Sequence, residues 1–311
     1  MDESAFIESL RALASHPAAR GLLDDAAVLE IGGRRLVLTH DMLVEGVHYL
    51  PGDPPGDVAW KLLAVNLSDL AAKGARPLGA LLGYSLGEDE WDASFVAGLG
   101  TALAAFGLPL LGGDTVRGPG PRTLALTALG EAEGPAPSRS GGRAGDHLWV
   151  SGTIGDSGAG LRVLKGEIAS DPFLVERYRK PRPRLEAGRR LAPLAEAMMD
   201  VSDGLLIDAS RLASASGAAA EIDLASIPLS EAHLAVLGGG PEARLAAAAA
   251  GDDYELLFAA APERSPQILA LRDELGLSFV RIGILAAGSG LRLTDAGAPV
   301  TLPSSLGWLH C

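Results

Sequence analysis

Residues 59–72 are apolar on nearly every side. Leu62, Leu63, Val65, Leu67 and Leu70 recur along it with small alanines at 59, 64, 71 and 72, and Gly74 and Pro77 follow. The pattern predicts a buried helix that starts near residue 57 and ends at Gly74. Asp69 sits in the middle of this apolar surface. A buried carboxylate is costly unless a cation or hydrogen-bond donors face it. Lys73, one turn on, could pair with it. The other reading is that Ser68 or Asp69 caps a helix that restarts at Leu70. The segment alone leaves both open.

The 311 residues leave room for two domains, and 48% of them are hydrophobic, enough for sizeable cores. The net charge of −13 argues against nucleic acid or an anionic membrane as the main partner. It does not argue against an anionic substrate, because divalent cations invert the local field. The single cysteine, Cys311, is the last residue, so no intramolecular disulfide can form. That fits a cytoplasmic protein. The first residues are acidic and amphipathic, unlike a signal peptide, and no apolar run is long enough to span a bilayer.

Taken in order, the chain predicts a short amphipathic helix over residues 4–15. Strands follow at 26–31 and 34–39, joined by a Gly32-Gly33 hairpin turn. Asp24-Asp25 opens the first strand and Asp41 closes the second. Beyond the buried helix come a strand at 78–86, a helix at 88–106 and a short buried strand at 108–111. That strand runs into Gly112-Gly113-Asp114-Thr115, and a strand at 122–131 ends this half. Residues 132–145 are rich in Pro, Gly, Ser and Arg and read as a linker. The domains are therefore drawn as 1–135 and 136–311. The second half predicts a strand at 147–151 leading into a glycine-rich run at 152–160, helices at 171–179 and 184–195, and a strand at 197–200. Val201-Ser202-Asp203-Gly204 then opens a helix to residue 215. A strand at 219–224, an alanine-rich helix at 243–250 and the turn Gly251-Asp252-Asp253 into a strand come next. A helix at 265–275 and strands near 278–285 and 291–294 finish the chain. Strands and helices alternate in both halves, which gives an α/β fold of mixed α and β layers. A faint echo links Asn66-Leu-Ser-Asp69 with Asp200-Val-Ser-Asp203 and hints at two related domains.

Asp24, Asp25, Asp41, Asp69, Asp114, Asp200, Asp203, Asp252 and Asp253 all fall at edges of predicted elements, several beside glycine. Singly, such aspartates are mostly turn formers or helix caps. Converging carboxylates, however, cannot all stay ionised without a counter-charge. Mg²⁺ answers that need, and it prefers carboxylates plus substrate phosphates. A phosphorylated ligand held through several Mg²⁺ is the expected occupant. Other devices are missing: there is no Gly-x-x-x-x-Gly-Lys-Ser/Thr loop, no protein-kinase signature, no zinc spacing and no Gly-x-Ser-x-Gly elbow. The glycines of residues 152–160 could cradle a phosphate but suit close helix packing better.

The ordered set of motifs carries a more specific signal. Asp24-Asp25-Ala-Ala-Val, Asp41-Met-Leu-Val-Glu-Gly-Val-His48, Ala64-Val-Asn-Leu-Ser-Asp69-Leu-Ala-Ala, Gly112-Gly-Asp-Thr115, Ser151-Gly-Thr-Ile-Gly-Asp-Ser, Asp200-Val-Ser-Asp203-Gly-Leu and Gly251-Asp-Asp-Tyr-Glu-Leu-Leu-Phe258 together resemble thiamine-monophosphate kinases, in the superfamily of aminoimidazole ribonucleotide synthetase. The resemblance spans almost the whole chain. It implies a two-domain synthetase-like fold whose N-terminal domain binds ATP and Mg²⁺ and joins sheets across a homodimer. It implies phosphoryl transfer from ATP to thiamine monophosphate. Asp24, Thr39, His40 (through its backbone), Asp41, Asp69, Asp114, Asp200 and Asp203 fall on magnesium positions, with Asp69 and Asp203 counted as catalytic. Gly113, Asp114, Arg139 and Ser202 fall on nucleotide positions, and His48, Asp252 and Trp308 on substrate positions. Leu23 stands where the family usually has glycine, His40 where threonine is common, and Asp252 where glutamate is usual. A ring-closing ligase of the same superfamily, or a silent nucleotide-binding dimer, are the alternatives.

Overall fold

Burial alternates residue by residue along the strand Thr123–Ala132, which forms the middle of the first sheet. In a computed structural model that describes residues 3–309, the first unit begins with α1 (Glu3–Arg11), β1 (Ala27–Ile31), β2 (Arg34–Val44) and α2 (Pro55–Ala72). It continues through β3 (Arg76–Ser85), α3 (Asp89–Phe106), β4 (Leu110–Val116) and β5 (Thr123–Ala132). Cys311 lies outside the described residues. The sheet order is β1-β2-β5-β3-β4, antiparallel except for the β3–β4 pair. Its inner face packs on α2 and α3 through Val37, Leu67, Phe95, Leu124 and Leu126.

The second unit contains β6 (His147–Ser151), α4 (Asp156–Leu164), α5 (Pro172–Arg179), α6 (Leu185–Leu191), β7 (Ala197–Asp200) and α7 (Leu205–Ala215). It ends with β8 (Ala219–Asp223), α8 (Glu231–Leu237), α9 (Pro241–Ala249), β9 (Leu256–Ala260), α10 (Ser265–Leu275), β10 (Phe279–Ala286), β11 (Gly290–Asp295) and β12 (Ala298–Val300). Its sheet runs β12-β11-β8-β10-β6-β9-β7. Strand alternation sends Val150, Met199 and Leu257 to a core shared with α7, and Trp149, Met198 and Phe258 to a core shared with α6 and α10.

The apolar helix explains how the units meet. Leu62, Leu63, Leu67 and Leu70 are each 0% exposed, and burying a leucine is worth about 1.5–3 kcal/mol. The first part of α2 lies in the first core, and its last residues, Ala71 and Ala72, belong to the second unit's core with Leu191 and Met198. Contact there is backbone-close: a Cβ on Gly188 would stand 2.0 Å from the Ala71 carbonyl oxygen. Trp60 Nε1 adds a hydrogen bond to the Pro181 carbonyl at 3.0 Å.

Several expectations are corrected. α2 is continuous through Ser68 and Asp69, so neither caps a restarted helix. β2 extends to Val44 because its pairing with β5 runs on to Val44–Thr123, and Asp41 therefore sits inside the strand. The strand at 108–111 is displaced: β4 itself contains Gly112-Gly113-Asp114-Thr115 and is an exposed sheet edge. The echo between halves has no local structural counterpart, since Asp69 is helical whereas Asp203 lies in the loop between β7 and α7. The glycine-rich run does serve packing, as a Cβ on Gly160 would meet the Leu174 carbonyl oxygen at 2.0 Å.

Candidate active site

A cleft of about 1350 Å³ lies between the two units. Asp24, His40, Asp41, His48, Asp69, Arg139, Asp200, Ser202, Asp203, Asp252 and Trp308 line it. Thr39 lies behind, 4% exposed, its hydroxyl donating to the Asp69 carboxylate. Gly113 and Asp114 do not line it: they sit on the edge strand β4, separated from β2 by β5 and β3.

The centre of the cleft is acidic. Asp25, Asp69 and Asp200 each place a carboxylate oxygen within 4.8 Å of the others. Asp69 comes from α2, Asp200 ends β7, and Asp25 lies in the loop before β1. Asp41 is tethered beside them, its backbone N–H donating to Asn66 Oδ1 at 3.2 Å. Asp24, the position expected from sequence, lines the cleft beside Asp25 and is bound by Arg20 and Lys73, each at 2.5 Å. Lys73 does not pair with Asp69 as expected. Fully buried, its ammonium lies 2.6 Å from Asp25 and donates to the Met198 carbonyl at 3.1 Å. Arg139 holds the other side of Asp25 at 2.5 Å.

Charge crowding follows from this geometry. Burial pushes Asp200 up to about 8, with Asp25 adding to the rise and the Ser68 hydroxyl opposing it. Burial raises Asp41 to about 6, against a hydrogen bond with Asp69. Asp69 stands well above the usual carboxylate range, from burial first and then from Asp41, Asp200 and Asp25. Asp25 goes the other way: burial disfavours its charge, but Lys73 and Arg139 hold it down at about 2. Such a set takes up protons unless cations replace them. The donors are all hard oxygens, three carboxylates and the Thr39 hydroxyl nearby, which fits Mg²⁺ and not a thiolate- or imidazole-seeking metal.

The loop after β7 is held from beneath. Oδ2 of Asp208, a fully buried residue of α7, accepts from the N–H groups of Ser202 (3.1 Å), Asp203 (3.1 Å) and Gly204 (3.2 Å). The Asp203 side chain meets Arg211 at 2.5 Å, and its carbonyl accepts from the Trp308 N–H at 2.8 Å. Trp308 is 52% exposed at the rim of the cleft, so it plugs no core. At the same end, His48 Nδ1 accepts from the Val44 N–H at 3.0 Å, which leaves the ring proton on Nε2. Asp252 pairs with Lys61 at 2.7 Å. Sequence reasoning missed Lys61 and Asp208; the available signal for Lys61 was a lysine inside an otherwise apolar helix.

Comparison with known proteins fits this geometry. Residues 23–132 match the AIR synthase related protein N-terminal domain, and residues 143–296 match its C-terminal domain. The thiamine-monophosphate kinase of Caulobacter vibrioides is 43% identical over 303 residues, covering 94% of this chain and 86% of that protein. The structure of AaThiL complexed with AMPPCP and TMP superposes with a TM-score of 0.86 at 32% identity, over 100% of this chain and 97% of that one. The crystal structure of thiamine-monophosphate kinase from Stenotrophomonas maltophilia K279a gives a TM-score of 0.78 at 38% identity, covering 95% of this chain and 96% of that one. Similarity this high along nearly the whole length, with both domains matched in order, means that the chain belongs to the AIR synthase related family and, within it, to the thiamine-monophosphate kinases.

Proposed function

We propose that this chain transfers the γ-phosphoryl group of ATP to thiamine monophosphate, giving thiamine diphosphate and ADP. The observation that carries the reading is the convergence of Asp25, Asp69 and Asp200 in the cleft between the units. Both substrates are anionic, so their phosphates repel until positive charge lies between them. Bound Mg²⁺ ions would supply that charge. Asp24, Asp25, Thr39, Asp41, Asp69, Asp200, Asp203 and the His40 backbone hold them in this reading. Arg139 and Ser202 face the nucleotide, and His48, Asp252 and Trp308 face thiamine. The acceptor phosphate oxygen is already a nucleophile, so the protein has only to position and shield two reactants for in-line transfer. No side chain acts as a general base.

The working unit in this reading is a cytoplasmic homodimer, divided in each copy at residues 135/136. Leu111 and Val116 are 58% and 57% exposed on β4, the edge strand that also carries Gly113 and Asp114, and Leu81 on the neighbouring β3 is 46% exposed. An apolar sheet edge of this kind suits a second copy. Gly113 and Asp114 then meet nucleotide and metal near the two-fold axis. Leu111→Glu should yield monomers by light scattering; an unchanged mass would count against this face. Among the described residues, no helix is long and apolar enough to cross a membrane.

The decisive experiment incubates purified protein with MgATP and thiamine monophosphate and follows thiamine diphosphate by chromatography. Product should need both ATP and Mg²⁺ and vanish with EDTA. Cyclisation of formylglycinamidine ribonucleotide, with thiamine monophosphate untouched, would favour the ligase alternative instead.

A further inference from the structure

Lys61 is 2% exposed, and its ammonium has three partners. It donates to the His48 carbonyl at 3.0 Å and to Asp252 Oδ2 at 2.7 Å, and it stands 4.1 Å from the centre of the Tyr178 ring. His48 and Lys61 belong to the first unit, Tyr178 and Asp252 to the second. All these contacts converge at one end of the cleft, which His48, Tyr178 and Asp252 line. The Lys61 head is therefore a buried cation tying the cleft walls together from behind.

Asp252 needs such a tie. Its backbone lies in the left-handed region, at φ 69, as does that of Tyr254, at φ 52. Its N–H donates to the Ser202 carbonyl at 2.7 Å, so the turn is coupled to the loop carrying Asp203. Its two oxygens are held separately, Oδ1 by the Tyr254 hydroxyl at 3.1 Å and Oδ2 by Lys61. The side chain remains 34% exposed to the cleft. Paired in this way, Asp252 offers acceptor lone pairs without adding net negative charge to a cleft that must admit phosphates. A pair of this kind recognises an N–H donor, not a cation.

We propose that Lys61 is a positioning residue for the thiamine end of the cleft: it neutralises and orients Asp252 and fixes the His48 segment against it, so that the pair reads a neutral amino group on the substrate. This inference rests on the kinase reading, and wild-type turnover of thiamine monophosphate tests that reading separately.

The test compares wild type, Lys61→Met, Asp252→Asn and the double variant, with both KM values, kcat and the melting temperature measured for each. Lys61→Met should raise KM for thiamine monophosphate by roughly 10- to 100-fold, the effect of one charge-assisted hydrogen bond. KM for ATP should stay within about twofold and kcat should change little, because the contact acts alike in ground and transition states. The double variant should match Asp252→Asn, since Lys61 acts through Asp252. Two results overturn the proposal. One is an equal rise in both KM values with a lowered melting temperature, the mark of a merely structural lysine. The other is a double variant whose KM change is the product of the two single changes. If Lys61→Met alone does not fold, the charge-neutral double variant against Asp252→Asn still decides.

Discussion

Asp69→Asn should move turnover and stability in opposite directions. The substitution keeps the side chain's shape and its hydrogen bond from Thr39, and removes one charge from the cluster with Asp25 and Asp200. A carboxyl whose folded pKa is raised stabilises the fold only while protonated. Its contribution is complete below the unfolded value and is lost as pH rises through the folded value. For Asp200 the window runs from 3.8 to about 8. At about 1.4 kcal/mol per unit, the ceiling is on the order of 6 kcal/mol. The cluster titrates jointly, so the ceilings of its members do not add. Asn at position 69 removes a carboxyl that burial, and then Asp41, Asp200 and Asp25, hold well above its usual range. In EDTA, the variant should melt a few degrees above wild type at pH 8, with the gap closing by pH 5. With saturating MgATP, kcat should fall at least about a hundredfold, as for loss of one electrostatic stabiliser. Mg²⁺ should raise the wild-type melting temperature more at pH 8 than at pH 5. Near-normal turnover would reduce Asp69 to a packing residue. A variant less stable than wild type at pH 8 in EDTA would refute the crowding argument itself.

Trp308→Ala should raise KM for thiamine monophosphate about 10- to 100-fold and leave KM for ATP unchanged, from stacking worth roughly 1–3 kcal/mol; equal harm to both substrates would remove Trp308 from the substrate's binding site. Asp208→Ala strands the three N–H groups that Oδ2 now accepts from, and should cost about 3 kcal/mol or more by urea unfolding, with Asp208→Asn milder; a neutral Asp208→Ala would show that water satisfies the loop. Incubation with γ-labelled ATP alone should leave no label on the protein after acid quench, and a stoichiometric label that chases into thiamine diphosphate would overturn direct transfer.

The order of elements was legible because apolar periodicity and glycine turns report local structure directly. Two features escaped for physical reasons. Asp24 and Asp25 are adjacent in the chain, and only the tertiary placement of Lys73, Arg20 and Arg139 decides which one faces Asp69 and Asp200. The partner of Lys73 was equally out of reach: helical spacing favours Asp69, but the Lys73 side chain leaves the helix end toward the Met198 carbonyl and the loop before β1. Asp41 was placed at the close of its strand, but pairing with β5 carries the strand three residues further, to Val44 opposite Thr123, a partner about eighty residues away in the chain. Trp308 and Asp252 came from the motif resemblance; neither has a periodicity that marks it.

The seam at Gly188 limits how the enzyme can breathe. The α2 backbone at Ala71 touches α6 with no side chain between them, and Gly74 packs closely on Ala192, where an added Cβ would fall 2.5 Å from the Ala192 Cβ. Swinging one unit about this contact would pull Lys73 from the Met198 carbonyl and open a core shared by both halves. A jaw-like opening is thus the expensive way to exchange ligands. Traffic is left to the rim, where α1 and the tail bearing Trp308 border the mouth on opposite ends of the chain. Residence time of the product then depends on these two short segments, and truncating either should speed product release without loosening the body of the fold.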